Sequence, residues 1–210
     1  MADLRIADRA ADAPQRANVL ITLFLESRKY SWVLGLTCDY LVSRMQSVKP
    51  RDLFLGLVLV AHPGEATIAL SARLGMSTSQ VHYALTALRR ARLVGEDRRV
   101  RRAAMLEFLK HGAKYAFAAH PGPETLSIPT GIAAPMFADA DSRAGAPLVW
   151  PTPTGTLRGS SIEPLSKWVP HAVRDDAHLY KLLSAVDAIR VGRAREASTA
   201  VEFLERELTS

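Results

Sequence analysis

The sequence predicts a mainly α-helical protein with a small β component, an α+β fold, and three observations point to it. Apolar residues recur at helical spacing between residues 66 and 94 and again between residues 172 and 208. The stretch between these regions, residues 121–164, holds most of the prolines and offers only short β-type runs. With 48% hydrophobic residues in a chain of 210, a sizeable core can be buried.

The chain divides into four predicted segments. Residues 1–47 form an N-terminal extension, and residues 48–119 form a domain around the first pair of helices. Residues 120–170 form an irregular Pro/Gly-rich segment with short strands, and residues 171–210 form C-terminal helices. The sequence contains no internal repeat.

The N-terminal extension supports two interpretations. Its apolar residues, Val19, Val33 and Leu41 among them, fall in patches at helical spacing, which indicates one interrupted helix or two. Met45 and the residues after it also look like a native start, in which case the residues before it are an artefact of the assigned start site. The sequence leaves both interpretations open.

Residues 50–62 predict a core helix. Pro50 stands at a favourable first helical position, because its missing N–H has no intrahelical partner there. The residues that follow are strongly apolar, and His62, Pro63 and Gly64 end the helix. We expect this helix to lie beneath the helix pair that follows it.

Residues 66–94 predict two short helices joined by a tight turn. Gly75 supplies the positive φ that the turn needs, and the hydroxyl of Ser77 can cap the second helix. The small Ser71 stands where the two helices approach each other. The apolar faces are predicted to be Ile68, Leu70 and Leu74 on the first helix and Val81, Ala84, Leu85 and Leu88 on the second.

This pattern, over residues 50–94, resembles the helix-turn-helix of winged-helix transcription regulators, particularly those of the MarR family. The resemblance implies that the second helix, residues 78–90, enters the major groove of double-stranded DNA. Gln80 is the strongest candidate for a base contact, because its amide can pair with adenine through two hydrogen bonds. The exposed candidates for base contacts are Thr78, Ser79, Gln80, His82, Tyr83 and Thr86.

A run of arginines follows this helix directly. Residues 89–102, RRARLVGEDRRVRR, hold seven arginines against Glu96 and Asp97, a net charge of +5 in a chain whose whole net charge is +6. Solvated charged faces normally mix signs, so a one-sided cluster beside such a helix favours phosphate contacts. The candidates for phosphate contacts are Ser77, Arg89, Arg90, Arg92, Arg98, Arg99, Arg101 and Arg102.

The residues after the helix pair depart from the MarR pattern. In that family a β-hairpin, the wing, follows the recognition helix, and residues 95–97 can form its turn. Residues 98–112 nevertheless look helical, with Gly112 closing the helix. Residues 113–119 and 125–131 predict a short hairpin, which is either a displaced wing or part of an unrelated sheet.

The Pro/Gly-rich segment and the C-terminal helices complete the prediction. Short strands are expected near residues 148–150 and 156–158, and Trp150 and Trp168 indicate ordered structure because aromatic side chains gain by burial. The C-terminal helices are nearly neutral, so we expect their two apolar stripes either to pack within the chain or to form a dimer seam. These stripes are Leu179, Leu182, Leu183, Val186 and Ile189, followed by Ala197, Val201, Leu204 and Leu208.

Several phrases in the second half, TGIAAP, VWPTPTGTLRG, IEPL and DDAHLYKLLSAVDAIRVGRAREAS, are similar to those of short bacterial winged-helix regulators encoded beside nucleotidyltransferase-type toxins. The resemblance implies a repressor of its own operon that acts as an antitoxin, with a cognate toxin as protein partner. Periodicity and charge by themselves indicate a DNA binder. A homodimer is expected, because two recognition helices one DNA turn apart increase affinity.

The alternative function is a protein–protein interaction module built on a helix-turn-helix scaffold. Enzyme chemistry finds little support, since the six histidines never stand at zinc-ligand spacing from Cys, Asp or Glu. Nucleophile-elbow, phosphate-loop and dinucleotide glycine patterns are missing too. Asp175 and Asp176 are interpreted as helix-capping residues. We therefore expect no catalytic residue, no metal and no cofactor.

Composition also bears on compartment. The single cysteine, Cys38, excludes an internal disulfide and is expected to be a small buried residue. The sequence has neither an apolar run of membrane-spanning length nor the charge order of a signal peptide. A cytoplasmic protein without membrane contact is therefore expected.

Overall fold

The computed structural model describes residues 47–137, 146–153 and 155–209. The chain divides into two compact units, Met1–Gln46 and Ser47–Ser210, and the described residues belong to the second. The predicted helices of the N-terminal extension, its alternative start at Met45, and Cys38 lie outside the described residues. None of the described helices combines the length and the apolar character needed to cross a bilayer.

The second unit is mainly α-helical with one small sheet, as predicted. Its segments share a single hydrophobic core that draws buried residues from Leu53 near its start to Leu208 near its end. The helices are α1 (Pro50–Ala61), α2 (Thr67–Leu74), α3 (Thr78–Arg90), α4 (Arg102–His111), α5 (Ala113–Ala116), α6 (Val169–Ala172), α7 (Ala177–Val191) and α8 (Ala194–Thr209). The strands are β1 (Glu124–Thr130), β2 (Leu148–Trp150) and β3 (Leu157–Ser161).

Helix α1 is the predicted core helix, and it is buried along nearly its whole length. Pro50 occupies its first turn, and the carboxylate of Asp52 accepts the backbone N–H of Lys49 at 2.9 Å. Gly56 permits close packing, because a Cβ at this position would lie 2.8 Å from the Met105 side chain on α4. Helix α1 contacts both α3 and α7, so it joins the helix pair to the C-terminal helices.

The helix pair α2–α3 has the predicted turn. Gly75 adopts a φ of 63°, and the hydroxyl of Ser71 donates to the carbonyl of Met76 at 2.5 Å. Ser77 caps α3, since its hydroxyl accepts the N–H of Gln80 at 3.2 Å. Helix α3 has the predicted bounds, and its predicted apolar face is buried.

One residue of the predicted apolar face of α2 is placed differently. Leu70 and Leu74 are buried, but Ile68 is 77% exposed. The prediction for Ile68 was wrong because residues 68 and 70 lie about 200° apart around a helix of 3.6 residues per turn. Residues 70 and 74, four positions apart, share a face.

A minimal hairpin follows α3. Val94 and Val100 form an antiparallel bridge, and the N–H of Gly95 donates to the carbonyl of Arg99 at 2.8 Å. Helix α4 begins only at Arg102, so the helix expected over residues 98–112 is shorter at its start. The turn that the sequence suggested for residues 95–97 is therefore present, and a single bridge joins its two sides.

The hairpin predicted from residues 113–119 and 125–131 does not form. Residues Ala113–Ala116 are helical, because an alanine-rich run without β-branched side chains favours a helix. Residues Glu124–Thr130 form β1 as expected. Strand β1 pairs with strands that come later in the chain.

Each strand of the sheet pairs with the other two. The first half of β1 runs antiparallel to β3, with Leu126 opposite Arg158, and its second half runs antiparallel to β2, with Ile128 opposite Trp150. Strands β2 and β3 pair in parallel. The strands expected near residues 148–150 and 156–158 are confirmed.

Helix α7 lies at the centre of the unit. It contacts α1, α5, α8 and β1. Its predicted apolar stripe is buried, and so are Leu204 and Leu208 of the stripe predicted for α8. The other two members of that stripe, Ala197 and Val201, are only partly buried, and Ala200 is buried although it was not predicted to be. The α7 stripe and half of the α8 stripe therefore pack within the chain, which is the intramolecular alternative for those residues.

A buried ion pair holds α7 against the sheet. Arg190 donates from Nη1 to Oδ1 of Asp187 at 2.6 Å, and Oδ2 of Asp187 accepts from Thr130 on β1 at 3.0 Å and from Nε1 of Trp150 on β2 at 2.5 Å. Arg190 also donates from Nε to the carbonyl of Phe117 at 2.7 Å. Burial raises the pKa of the Asp187 carboxyl, while the Arg190 guanidinium acts in the opposite direction.

Asp176 caps α7, as predicted for the acidic pair before this helix. Its Oδ1 accepts the N–H of Leu179 at 2.9 Å, and its Oδ2 lies 2.5 Å from Nε2 of His62 at the end of α1. Burial acts to raise the pKa of the Asp176 carboxyl, but the Leu179 N–H and the His62 ring outweigh it, so the pKa lies below its ordinary value. This contact links the two ends of the core.

We expect Gly75→Val to destabilise the protein, because a β-branched side chain at positive φ costs about 1–2 kcal/mol. Gly75→Asn is the matched control, since asparagine tolerates the left-handed conformation. The free energy of unfolding, measured by urea titration, should fall clearly for valine and much less for asparagine. Equal losses would contradict the turn described above.

We expect Asp176→Ala to lower the free energy of unfolding at pH 7 by about 1–2 kcal/mol, through loss of the helix cap. Because the pKa of Asp176 is lower in the folded state, its ionised carboxylate stabilises the protein at pH values above the ordinary pKa of 3.8. This stabilisation is lost as the pH falls through the pKa of the folded state. The difference in the free energy of unfolding between wild type and variant should therefore become smaller below about pH 4. Asp175→Ala, at an exposed neighbour, is the control, and a difference that stays constant from pH 7 to pH 3 would contradict the assignment.

Candidate nucleic-acid interface

Helix α3 presents a polar face to solvent and an apolar face to the core. The capped start at Ser77 fixes where the helix begins, and its buried residues recur three and four positions apart. The opposite face therefore combines hydroxyl, imidazole, phenol and guanidinium groups at the same spacing. The exposed or partly exposed residues of this face are Ser79, His82, Tyr83, Thr86 and Arg90.

Four of the predicted base contacts gather at one place on this surface. Thr78, Ser79, His82 and Tyr83 line a shallow depression of about 350 Å³, together with Thr67 from the start of α2. Tyr83 is 66% exposed, and its ring meets the ring of His82 edge to face, with 6.3 Å between the ring centres. Hydroxyl and imidazole groups can both donate and accept hydrogen bonds, as the edges of bases require.

Gln80, the strongest predicted base contact, takes part in the cap of its own helix. Its Oε1 accepts the N–H of Ser77 at 2.9 Å, while the Ser77 hydroxyl accepts the N–H of Gln80, so the two residues form a capping box. A bidentate pair with adenine needs the same amide oxygen. The sequence carried the signal for this outcome, because Ser followed three residues later by Gln is the capping-box pattern.

Thr86 is also partly engaged within the helix. Its hydroxyl donates to the carbonyl of His82 at 3.0 Å, the usual back-bond of threonine inside a helix. The oxygen can still accept a hydrogen bond from a ligand. Ser79, His82 and Tyr83 are therefore the best-placed side chains for contact with bases.

Ser77 caps α3, and three of the arginines predicted to contact phosphate also bond to the protein itself. Arg89 donates from Nη2 to the carbonyl of Glu96 at 3.1 Å, and Arg98 donates from Nη2 to the carbonyl of Glu65 at 2.7 Å. Arg102 lies 3.5 Å from a carbonyl of α8. These bonds hold the hairpin against α3 and against the loop before α2.

The remaining four arginines of the run are exposed. Arg90, Arg92 and Arg101 lie at the surface, and the side chain of Arg99 is 85% exposed, with Nε 3.8 Å from the carboxylate of Asp97. An ion pair so exposed is worth little, because water screens it. A concentrated positive surface therefore remains around the hairpin and the end of α3.

Arg92 occupies a backbone position that usually belongs to glycine. Helix α3 ends in a Schellman motif, in which the N–H of Leu93 donates to the carbonyl of Leu88 and the N–H of Arg92 donates to that of Arg89, each at 2.9 Å. Arg92 has a φ of 59°, which costs a non-glycine residue of order 1 kcal/mol. Glycine would adopt this conformation without strain, so backbone stability does not explain the arginine at this position.

The sequence missed two surface residues beside the depression, both at the start of α2. Thr67 lines it, and Ile68 is exposed next in the chain. The spacing of Ile68 from the buried Leu70 was the available signal. Within the described residues, no group of three or more His, Cys, Asp or Glu side chains is placed to hold a metal ion.

Comparisons with protein-family models, with curated proteins and with solved structures found no match for this chain. Its function has to be argued from its own residues. What these residues offer is a polar helix face, an adjoining hydroxyl-lined depression, and four exposed arginines at and beyond the end of the helix.

Proposed function

We propose that the protein is a sequence-specific double-stranded-DNA-binding transcription regulator, with α1–α3 and the one-bridge hairpin as a winged helix-turn-helix. The observation that carries the proposal is the surface of α3. A helix with a buried apolar face and a face of small polar and aromatic side chains fits the major groove, which is wide enough for one helix. The exposed arginines lie where the flanking phosphates run.

In this proposal the residues act in two groups. Ser79, His82 and Tyr83 contact base edges, with Thr78 and Thr86 beside them. Arg90, Arg92, Arg99 and Arg101 neutralise phosphates and so supply affinity that does not depend on sequence. Arg89 and Arg98 keep the hairpin in position, and Gln80 keeps the start of the helix capped.

Three further parts of the prediction rest on resemblance and on general symmetry arguments. Repression of its own operon, pairing with a cognate toxin, and binding as a homodimer stay predictions. Because the α7 stripe, Leu204 and Leu208 are buried within the chain, a dimer seam has to draw on other residues. Sedimentation velocity with and without duplex DNA measures the oligomeric state directly.

A protein-binding function is the second candidate. The observation that favours it is the exposure of two large apolar side chains on the helix pair, Ile68 and Tyr83. Apolar surface beside a polar helix face also suits a partner protein. Salt separates the two candidates, because counterion release makes duplex binding fall steeply with ionic strength.

The test of the DNA proposal begins with the full-length protein and a randomised duplex library. Enrichment of a common sequence, and an affinity for it that falls steeply with salt in fluorescence anisotropy, are expected. His82→Ala should then relax the preference at one base pair, by about 1–3 kcal/mol, and leave scrambled duplex almost unaffected.

Gln80→Ala is the matched control on the same helix. It should lower the free energy of unfolding through loss of the capping box and keep the base preference. If no sequence is enriched, or if His82→Ala weakens selected and scrambled duplex equally, base reading by this face is wrong. If Gln80→Ala relaxes the preference, Gln80 contacts a base as well as capping the helix.

Arg92→Gly should separate stability from binding. Glycine relieves the positive φ, so the free energy of unfolding should stay level or rise by up to about 1 kcal/mol. Loss of one phosphate contact should make the slope of log K against log salt shallower by about 0.9. Arg92→Lys is the control that should keep the slope, and a folded Arg92→Gly protein with the wild-type slope would remove Arg92 from the interface.

A further inference from the structure

A second group of basic side chains lies near the opposite end of α3. A groove of about 890 Å³ is lined by the start of α1, by Gln80 in the first turn of α3, and by the segment around residues 163–170. Lys49, Arg51 and Lys167 are its basic residues besides Arg190, which is buried in its pair with Asp187. We define Lys49, Arg51 and Lys167 as the N-terminal basic group.

Lys167 is held beside the turn of the helix pair. Its Nζ lies 4.8 Å from the ring centre of Trp168, a distance at which a cation is attracted to the ring face. Trp168 in turn lies against the turn, since a Cβ on Gly75 would be 3.5 Å from its Cδ1. Lys167, about 90 positions after Gly75 in the chain, thus brings a charge next to the start of α3.

The charges of the group remain accessible from solvent. Lys49 and Lys167 are exposed, and the side chain of Arg51 is 36% exposed. Two acids accompany them: Glu163 at the surface, and Asp52, which lies 3.6 Å from Nε of Arg51 but is itself buried. The solvent-facing charge of the groove is therefore predominantly positive.

The dimensions of α3 relate this group to the arginines beyond the other end of the helix. Thirteen residues at 1.5 Å each make α3 about 20 Å long. The major groove of B-DNA is about 12 Å wide, so a helix of that length that crosses the groove has its two ends near the two phosphate strands that border it. Cations at both ends of the helix would meet both strands.

We infer that the N-terminal basic group contacts the phosphate strand opposite to the one held by the exposed arginines, so that the duplex is gripped at both ends of α3. The inference rests on the proposed function and deepens it. Phosphate contacts fix the register of a protein on DNA, and two rows of them fix the angle of the helix as well. Lys49, Arg51 and Lys167 are the positioning residues.

The test uses the full-length triple variant Lys49→Gln, Arg51→Gln, Lys167→Gln and the duplex enriched by the wild type. Its slope of log K against log salt should be shallower by up to about 2.7, since each lost phosphate contact contributes about 0.9. Selected and scrambled duplex should both lose affinity, and the preferred sequence should be unchanged. The matched control, Lys181→Gln, Arg193→Gln, Arg206→Gln, removes the same charge from α7, α8 and the turn between them and should keep the wild-type slope.

A double variant, Lys49→Gln with Lys167→Gln, keeps the inference testable if loss of Arg51 disturbs the start of α1. Its slope should be shallower by up to about 1.8. A folded variant, by circular dichroism, whose slope equals that of the wild type and the control overturns the inference and leaves the proposed function intact. A wild-type protein without salt-dependent duplex binding overturns both.

Discussion

The buried pair of Asp187 and Arg190 is the interaction on which the rest of the described structure depends. Both residues lie on α7, and between them they bond to β1, to β2 and to the loop before β1. Breaking such a pair by removing one partner typically costs 3–5 kcal/mol, because the remaining charge stays buried and unpaired. Here every element that bonds to the pair comes from a different part of the chain. The pair therefore specifies where the sheet lies against the C-terminal helices.

The position of the candidate interface follows from this arrangement. Helix α7 contacts α1, and α1 packs under α3, so the core fixes the position of the helix that carries the candidate interface. At the edge of the core, the contact between His62 and Asp176 joins the end of α1 to the start of α7. The segment between the sheet and α7 then returns to the helix pair and carries Trp168 to Gly75. A rigid support of this kind suits a surface whose side chains have to match base edges within a fraction of an ångström.

The arginine run illustrates how one stretch of charge divides into two tasks. Arg89 and Arg98 donate hydrogen bonds to backbone carbonyls, and these bonds hold the hairpin against the helix pair. Arg92 keeps an unfavourable backbone conformation at a position where glycine would be easier. Strain at a surface residue is consistent with a side chain that is retained for binding. The proposed interface is thus organised around α3, with structural arginines close to it and exposed ones farther out.

The sequence by itself determined the local features of this protein: the bounds of α3, the left-handed turn at Gly75, the caps at Ser77 and Asp176, and the short strands. These depend on residues within about four positions of one another, where periodicity, capping and turn chemistry act directly. Only the tertiary structure decided which charges stay exposed. Arg98 donates to the carbonyl of Glu65, 33 residues earlier, and Lys167 reaches the start of α3 from beyond the sheet. The tertiary structure also buried the α7 stripe, Leu204 and Leu208 within the chain. Contacts between distant residues depend on how all elements pack together, and no local pattern encodes that.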